Sequence, residues 1–263
     1  MSDVDTVAVF ATCMTDFAAP EPARAAVRVI EAMGYRAVVP EGQSCCGQPA
    51  LNSGYPQAAA RLVGSWARTF DGADAIVSVA GSCAAMMHHH GPSLAVGGDD
   101  ADALDRTLPR LWEFSQFVAE FGGGLDLALD PTHDVEVTYH DSCHMTRMLG
   151  ERHTPREVLA RIRGVRLVEM TDSDTCCGFG GTFSIKYPEV STSMADHKLD
   201  QARATGARLV VSSDPGCLTH LASRSARTSN TEQSAAPSGP PIEFVHLAEL
   251  VARALPSQHG GVA

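Results

Sequence analysis

The placing of eight cysteines constrains this chain more than any other feature. They are Cys13, Cys45, Cys46, Cys83, Cys143, Cys176, Cys177 and Cys217, two sets with the same order of single, adjacent pair, single. The intervening segments run 31 and 36 residues in the first set and 32 and 39 in the second. Other residues keep the same offset, as an internal repeat requires. Cys45-Cys46-Gly47 matches Cys176-Cys177-Gly178, Tyr55-Pro56 matches Tyr187-Pro188, and Glu113-Phe114 matches Glu243-Phe244. The offset is 130 to 132 residues at most of these points and 134 at the last cysteine, so the 263 residues read as two units of about 130.

Local patterns make each unit α/β. Val7–Ala11, Arg36–Val39 and Ala75–Val79 read as strands, and Pro22–Met33 and Pro56–Phe70 as helices. The second unit repeats this with strands Val135–Tyr139, Val165–Met170 and Leu209–Ser212 and helices Pro155–Arg163 and Pro188–Thr205. Alternation of this kind predicts right-handed crossovers and a small, mostly parallel sheet flanked by helices in each half. The expected domains are 1–125 and 134–255, with Gly122–His133 as linker. Ser223–Pro241, poor in large apolar residues, reads as a flexible loop, Phe244–Leu255 as the last helix and 256–263 as a tail.

In such a sheet the loops after successive strands lie along one edge, so Cys13, the Cys45-Cys46 pair and Cys83 can converge although distant in sequence, and so can their second-half counterparts. The formal charge is −11 with no basic run, which argues against a nucleic-acid partner. An acidic start, Met-Ser-Asp-Val-Asp, is unlike a signal peptide, and no segment approaches the roughly 18 to 20 apolar residues of a membrane span. The expectation is a cytoplasmic chain, where regularly spaced thiols mean metal or redox chemistry more often than disulfides.

Four cysteines per half is the ligand count of a cubane 4Fe-4S cluster and also of an all-cysteine zinc site. Structural zinc favours C-x2-4-C knuckles, which are absent here. Widely separated ligands around an adjacent pair suit a larger multi-iron group, one per half, with zinc in one half as the alternative. Gly47 and Gly178, and with them Gly180 and Gly181, allow backbone N–H groups to approach sulfur closely, although glycines also serve simply as turns. His140, Asp141 and His144 flank Cys143 and can move protons, hydrogen-bond a ligand or merely pack. His88-His89-His90 is not a metal site on this reading, because consecutive helical residues point in different directions. No G-x-G-x-x-G follows a strand, so neither nicotinamide nor flavin is expected in the usual way, and no nucleophile elbow suggests a hydrolase.

The stretches Gln43–Gly54, Gly81-Ser-Cys83, His140-Asp-Ser-Cys-His144, Cys176–Ser184 and Asp214-Pro-Gly-Cys217 resemble the cysteine-rich CCG domain of the heterodisulfide reductases and of the glycolate oxidase iron-sulfur subunit. They are most similar to the lactate utilization protein A family. The resemblance implies an iron-sulfur subunit of a complex oxidising L-lactate to pyruvate, partnered by a second iron-sulfur protein and a small third subunit, with a small 2-hydroxy acid as substrate. Glycolate, another 2-hydroxy acid or a disulfide are alternatives within that resemblance, and a zinc-braced scaffold is an alternative outside it. The fuller CCG pattern ends each half in C-x-x-C, where this chain has Met86 and His220. That leaves four cysteines per half, and His220 becomes a candidate nitrogen ligand.

Overall fold

A computed structural model describes residues 4–95, 97–129, 134–229 and 242–256. The strands are β1 (Thr6–Phe10), β2 (Arg36–Val38), β3 (Ala75–Ser78) and β4 (Leu111–Glu113), then β5 (Val135–Tyr139), β6 (Val165–Leu167), β7 (Leu209–Ser212) and β8 (Glu243–His246). They form two four-stranded sheets of identical order, β2-β1-β3-β4 and β6-β5-β7-β8, with every pairing parallel. Strands β3 and β7 are buried along their whole length, as parallel strands covered by helices on both faces must be.

Each sheet turns one face inward. The inner faces contribute Val7, Val9, Val77, Tyr139, Val211 and Val245, and the helices Glu21–Ala32 and Leu247–Ala254 pack between them, so one hydrophobic core crosses the boundary between the halves. Burial of a Val, Leu or Ile is worth ~1.5–3 kcal/mol, and a layer of them makes the halves interdependent. The outer faces carry the helices Pro56–Phe70 and Gly81–Leu94 in the first half and Pro188–Ala204 and Pro215–Ser229 in the second.

Four sequence expectations change. The last element is a strand followed by a helix, β8 and then Leu247–Ala254, not one helix from Phe244. The pairings Ser78↔Glu113 and Ser212↔His246 then set Glu113 opposite His246, so the Glu113/Glu243 match is three residues out of register. Residues 223–229, read as loop, continue the helix Pro215–Ser229, while 230–241 lie outside the described residues. The linker is docked over 122–129: Leu127 is buried, and Leu127 and Leu129 exchange backbone hydrogen bonds with Arg163. Its remainder, 130–133, and the tail beyond Pro256 lie outside the described residues.

Candidate metal centre

All eight cysteines line one cavity of about 190 Å³ at the carboxyl edge of both sheets. A larger open cleft of about 610 Å³ bounded by Trp112, Met148 and Glu151 contains none of them, and we place the site where the thiols converge. Each half delivers its four by the same route. Cys13 and Cys143 lie in short helices after β1 and β5, and the adjacent pairs lie in the loops after β2 and β6. Cys83 and Cys217 sit in the first turns of the helices Gly81–Leu94 and Pro215–Ser229.

The glycine after each pair has a defined task. Gly47 and Gly178 both adopt the left-handed region, with φ of 92° and 87°. Each donates its N–H to the first sulfur of its pair at 3.4 Å, Cys45 Sγ and Cys176 Sγ. A Cβ on Gly47 would stand 3.1 Å from the Ala59 carbonyl oxygen, and one on Gly178 only 2.4 Å from that of Ser191. The loop therefore presses against the following helix in both halves, and side chains are excluded.

Within each quartet the thiols are linked by hydrogen bonds that favour the thiolate on the first cysteine of the adjacent pair. Cys13 donates to Cys45 Sγ at 3.6 Å, and that bond, with those from Cys46 and Gly47, pulls the Cys45 thiol down to about 3. Hydrogen bonds from Cys143, Cys177 and the Gly178 N–H bring Cys176 down to about 2. Cys13 and Cys143 are correspondingly raised because each donates to its neighbour's sulfur, and Cys46 and Cys177 because they also donate and are buried. A metal binding four such thiolates would displace the remaining protons.

The histidines divide. The His140 ring is fully buried, neither of its nitrogens has a hydrogen-bond partner, and one ring nitrogen lies with the sulfurs of Cys177 and Cys217 in a group no more than 4.8 Å across. Burial, and then the nearby Lys198, push it down to about 4, leaving a neutral ring with one donor and one acceptor. His144 lines the cavity, with Nδ1 3.7 Å from Cys143 Sγ. His220 is otherwise engaged: its Nε2 meets Ser191 Oγ at 3.2 Å, and that hydroxyl donates to the Gly178 carbonyl at 2.7 Å. The ring thus braces the glycine loop. His88 turns its Nε2 to the Leu111 carbonyl at 3.0 Å.

Sequence reasoning missed two residues here. Asp214 is buried between the halves: Oδ2 accepts from the Ser82 N–H at 3.1 Å, and Oδ1 from the N–H groups of Gly216 at 3.2 Å and Cys217 at 3.4 Å. It ties the loop of Cys83 to that of Cys217, and its place in Asp214-Pro-Gly-Cys217 was the available signal. Lys198 is completely buried, its ammonium donating to the carbonyls of Asp172 at 2.7 Å and Ser173 at 3.4 Å. Nothing in its local sequence marks it. Asp141 is held by both terminal nitrogens of Arg156, at 2.9 and 2.8 Å, and by the Ser173 hydroxyl, which fixes the strand end before Cys143.

Four convergent thiols per half, backbone donors aimed at sulfur and a buried histidine with unpaired nitrogens make a donor set that fits a thiolate-bound metal group. The residues 7–88 and 137–222 match the family model described as CCG, cysteine-rich domain. The chain is 36% identical over 248 residues to lactate utilization protein A of Halalkalibacterium halodurans, covering 93% of this chain and 96% of that protein. It is 33% identical over 245 residues to lactate utilization protein A of Bacillus subtilis, covering 93% and 98%. A crystal structure of a hypothetical protein from Helicobacter pylori shares the fold, with a TM-score of 0.67 at 12% identity over 95% of this chain, which spans about half (49%) of that longer protein. Two matched cysteine-rich repeats and relatives aligned nearly end to end show that the chain belongs to the CCG cysteine-rich domain family and, within it, to the lactate utilization protein A family.

Proposed function

We propose that this chain is an iron-sulfur subunit of a cytoplasmic oxidoreductase complex that oxidises L-lactate to pyruvate, relaying the electrons to or from a second iron-sulfur protein with a small third subunit alongside. The observation that carries this reading is the convergence of two equivalent thiol quartets on one cavity. Relatives named lactate utilization protein A support the substrate class. Cys13, Cys45, Cys46 and Cys83 would hold one cluster and Cys143, Cys176, Cys177 and Cys217 another. Such clusters supply one-electron redox chemistry, while a 2-hydroxy acid going to a 2-oxo acid gives up two electrons and two protons. The chain's own groups shape that chemistry: Gly47 and Gly178 donate to sulfur, and Asp214 keeps the two cysteine loops in register. Among the described residues no helix is long and apolar enough to cross a membrane.

A zinc-braced second half is the competing reading, favoured by the mixed sulfur and nitrogen group of His140, Cys177 and Cys217. Deleting the gene in its own host tests the substrate assignment. Growth on L-lactate should be lost and then restored by the wild-type chain but not by Cys45→Ala or Cys176→Ala. Normal growth of the deletion strain on L-lactate would contradict it.

A further inference from the structure

The two quartets match at the sulfur atoms but rest on different floors. Strand register sets Phe10 of β1 against Ser78 of β3, and His140, one residue past β5, donates its N–H to the Val211 carbonyl and accepts from the hydroxyl of Ser212, the counterpart of Ser78. Phe10 and His140 thus occupy the same place, three residues before Cys13 and Cys143. The helices below start at Pro56 and Pro188, each capped by a tyrosine of similar backbone conformation, so Trp66 corresponds to Lys198. The first floor is aromatic and uncharged: Phe10 meets Trp66 and Phe70 edge-on, with ring centroids 5.9 and 5.5 Å apart, and its unpaired polar atom is the Trp66 indole N–H. The second holds an imidazole with two unpaired nitrogens, the unpaired hydroxyl of Thr138 where the first half has Ala8, and an ammonium.

We propose that His140 and Lys198 make the second quartet the electron-accepting end of the chain, so that a one-electron centre held there has a higher reduction potential than its counterpart in the first half. This rests on the iron-sulfur reading above. Reduction adds negative charge, and a positive charge or N–H donor close by in a medium of low polarity stabilises it. Carboxylates oppose this in part, and Asp174 and Asp172 act on Lys198 itself. Asp141 is matched by Arg156 and Arg152. Asp214 accepts from N–H groups in both cysteine loops, Ser82 and Cys217, which disperse its charge, although that charge bears mainly on Cys143 and Cys217 of the second quartet. The Lys198 head donates to the Asp172 and Ser173 carbonyls, and the neighbouring carboxylates, Asp174 first, favour its charged form against the cost of burial. When an electron passes between the ends, the first is oxidised by one electron and the second reduced by the same one, with no atom exchanged.

Anaerobic potentiometric titration followed by electron paramagnetic resonance tests the proposal. Cys176→Ala reports the first centre alone and Cys45→Ala the second. The second should have the higher midpoint. His140→Phe and Lys198→Met, with iron and sulfide content unchanged, should each lower that midpoint and leave the other in place. His140→Gln, which keeps an N–H donor, should recover part of the loss, an effect that packing alone would not produce. Equal midpoints, the reverse order, or a shift of both centres together would overturn the inference. If a floor variant loses its centre, the two single-quartet proteins still decide the order. Protein without iron or sulfide would overturn the iron-sulfur reading and this inference together, whereas iron-loaded protein with the reverse order would overturn this inference alone.

Discussion

The two halves agree where they touch sulfur and differ one layer beneath it. Gly47 and Gly178 repeat the same backbone conformation, the same 3.4 Å donation and the same press against the following helix. Trp66 and Lys198, or Phe10 and His140, share a place and almost nothing else. Geometry that presents four thiols tolerates little change, because one Cβ in the wrong place meets a backbone carbonyl. The layer below has only to fill space, and so is free to be aromatic in one half and charged in the other. A duplicated scaffold of this kind can hold two similar centres and tune them separately.

The largest effect should come from breaking one quartet. Cys45→Ala and Cys176→Ala should each remove about half of the bound metal, measured by elemental analysis of protein prepared without oxygen. If either change empties both sites, the shared cavity holds a single joint group and the comparison of two equivalent quartets fails.

Exchanging the floors should come next. Trp66→Lys puts a cation among Phe10, Phe70 and Val63, where a large side chain is also lost, and should destabilise by at least ~3 kcal/mol in denaturant unfolding. Lys198→Met leaves two carbonyls without their donor and should cost less, ~1–3 kcal/mol. Equal losses would mean that the floors are interchangeable.

A third comparison concerns the helix caps that register makes equivalent. Glu113 and His246 are both fully buried and both cap the helix that follows. Burial raises Glu113 from 4.5 to about 7 and lowers His246 from 6.5 to about 4. For Glu113 the folded value is the higher, so its contribution is complete below pH 4.5 and is lost as pH rises through 7. For His246 the folded value is the lower, so its contribution is complete above pH 6.5 and is lost as pH falls through 4. Each amounts to ~3 kcal/mol across its window. Glu113→Gln should flatten the alkaline limb of the stability profile and His246→Gln the acid limb, by unfolding from pH 4 to 8. Profiles parallel to wild type would remove these groups from the account.

Most of the architecture was legible because cysteine is rare enough that its order betrays a repeat, and because strands such as β3 are built on apolar runs, here Ala75–Val77. Short edge strands were not. Leu111–Glu113 has three residues, and Glu243–His246 leads directly into a helix whose apolar spacing absorbs Phe244. The Glu113/Glu243 identity misled for a physical reason: the offset drifts from 130 to 134 along the chain, so residue type alone cannot carry the register to the last strand. His140 was visible beside Cys143. Lys198 was not, since a lysine in an amphipathic helix reads as surface until the strand behind it is placed. Ser223–Pro241 showed the limit of composition, because its first residues are polar and helical together.

The most direct test of the central claim, that these eight thiols hold iron-sulfur clusters, is iron, zinc and acid-labile sulfide analysis of protein purified without oxygen. The account predicts brown protein with iron and sulfide in stoichiometric amounts, reduced in step by loss of either quartet. Colourless protein carrying only zinc would contradict it.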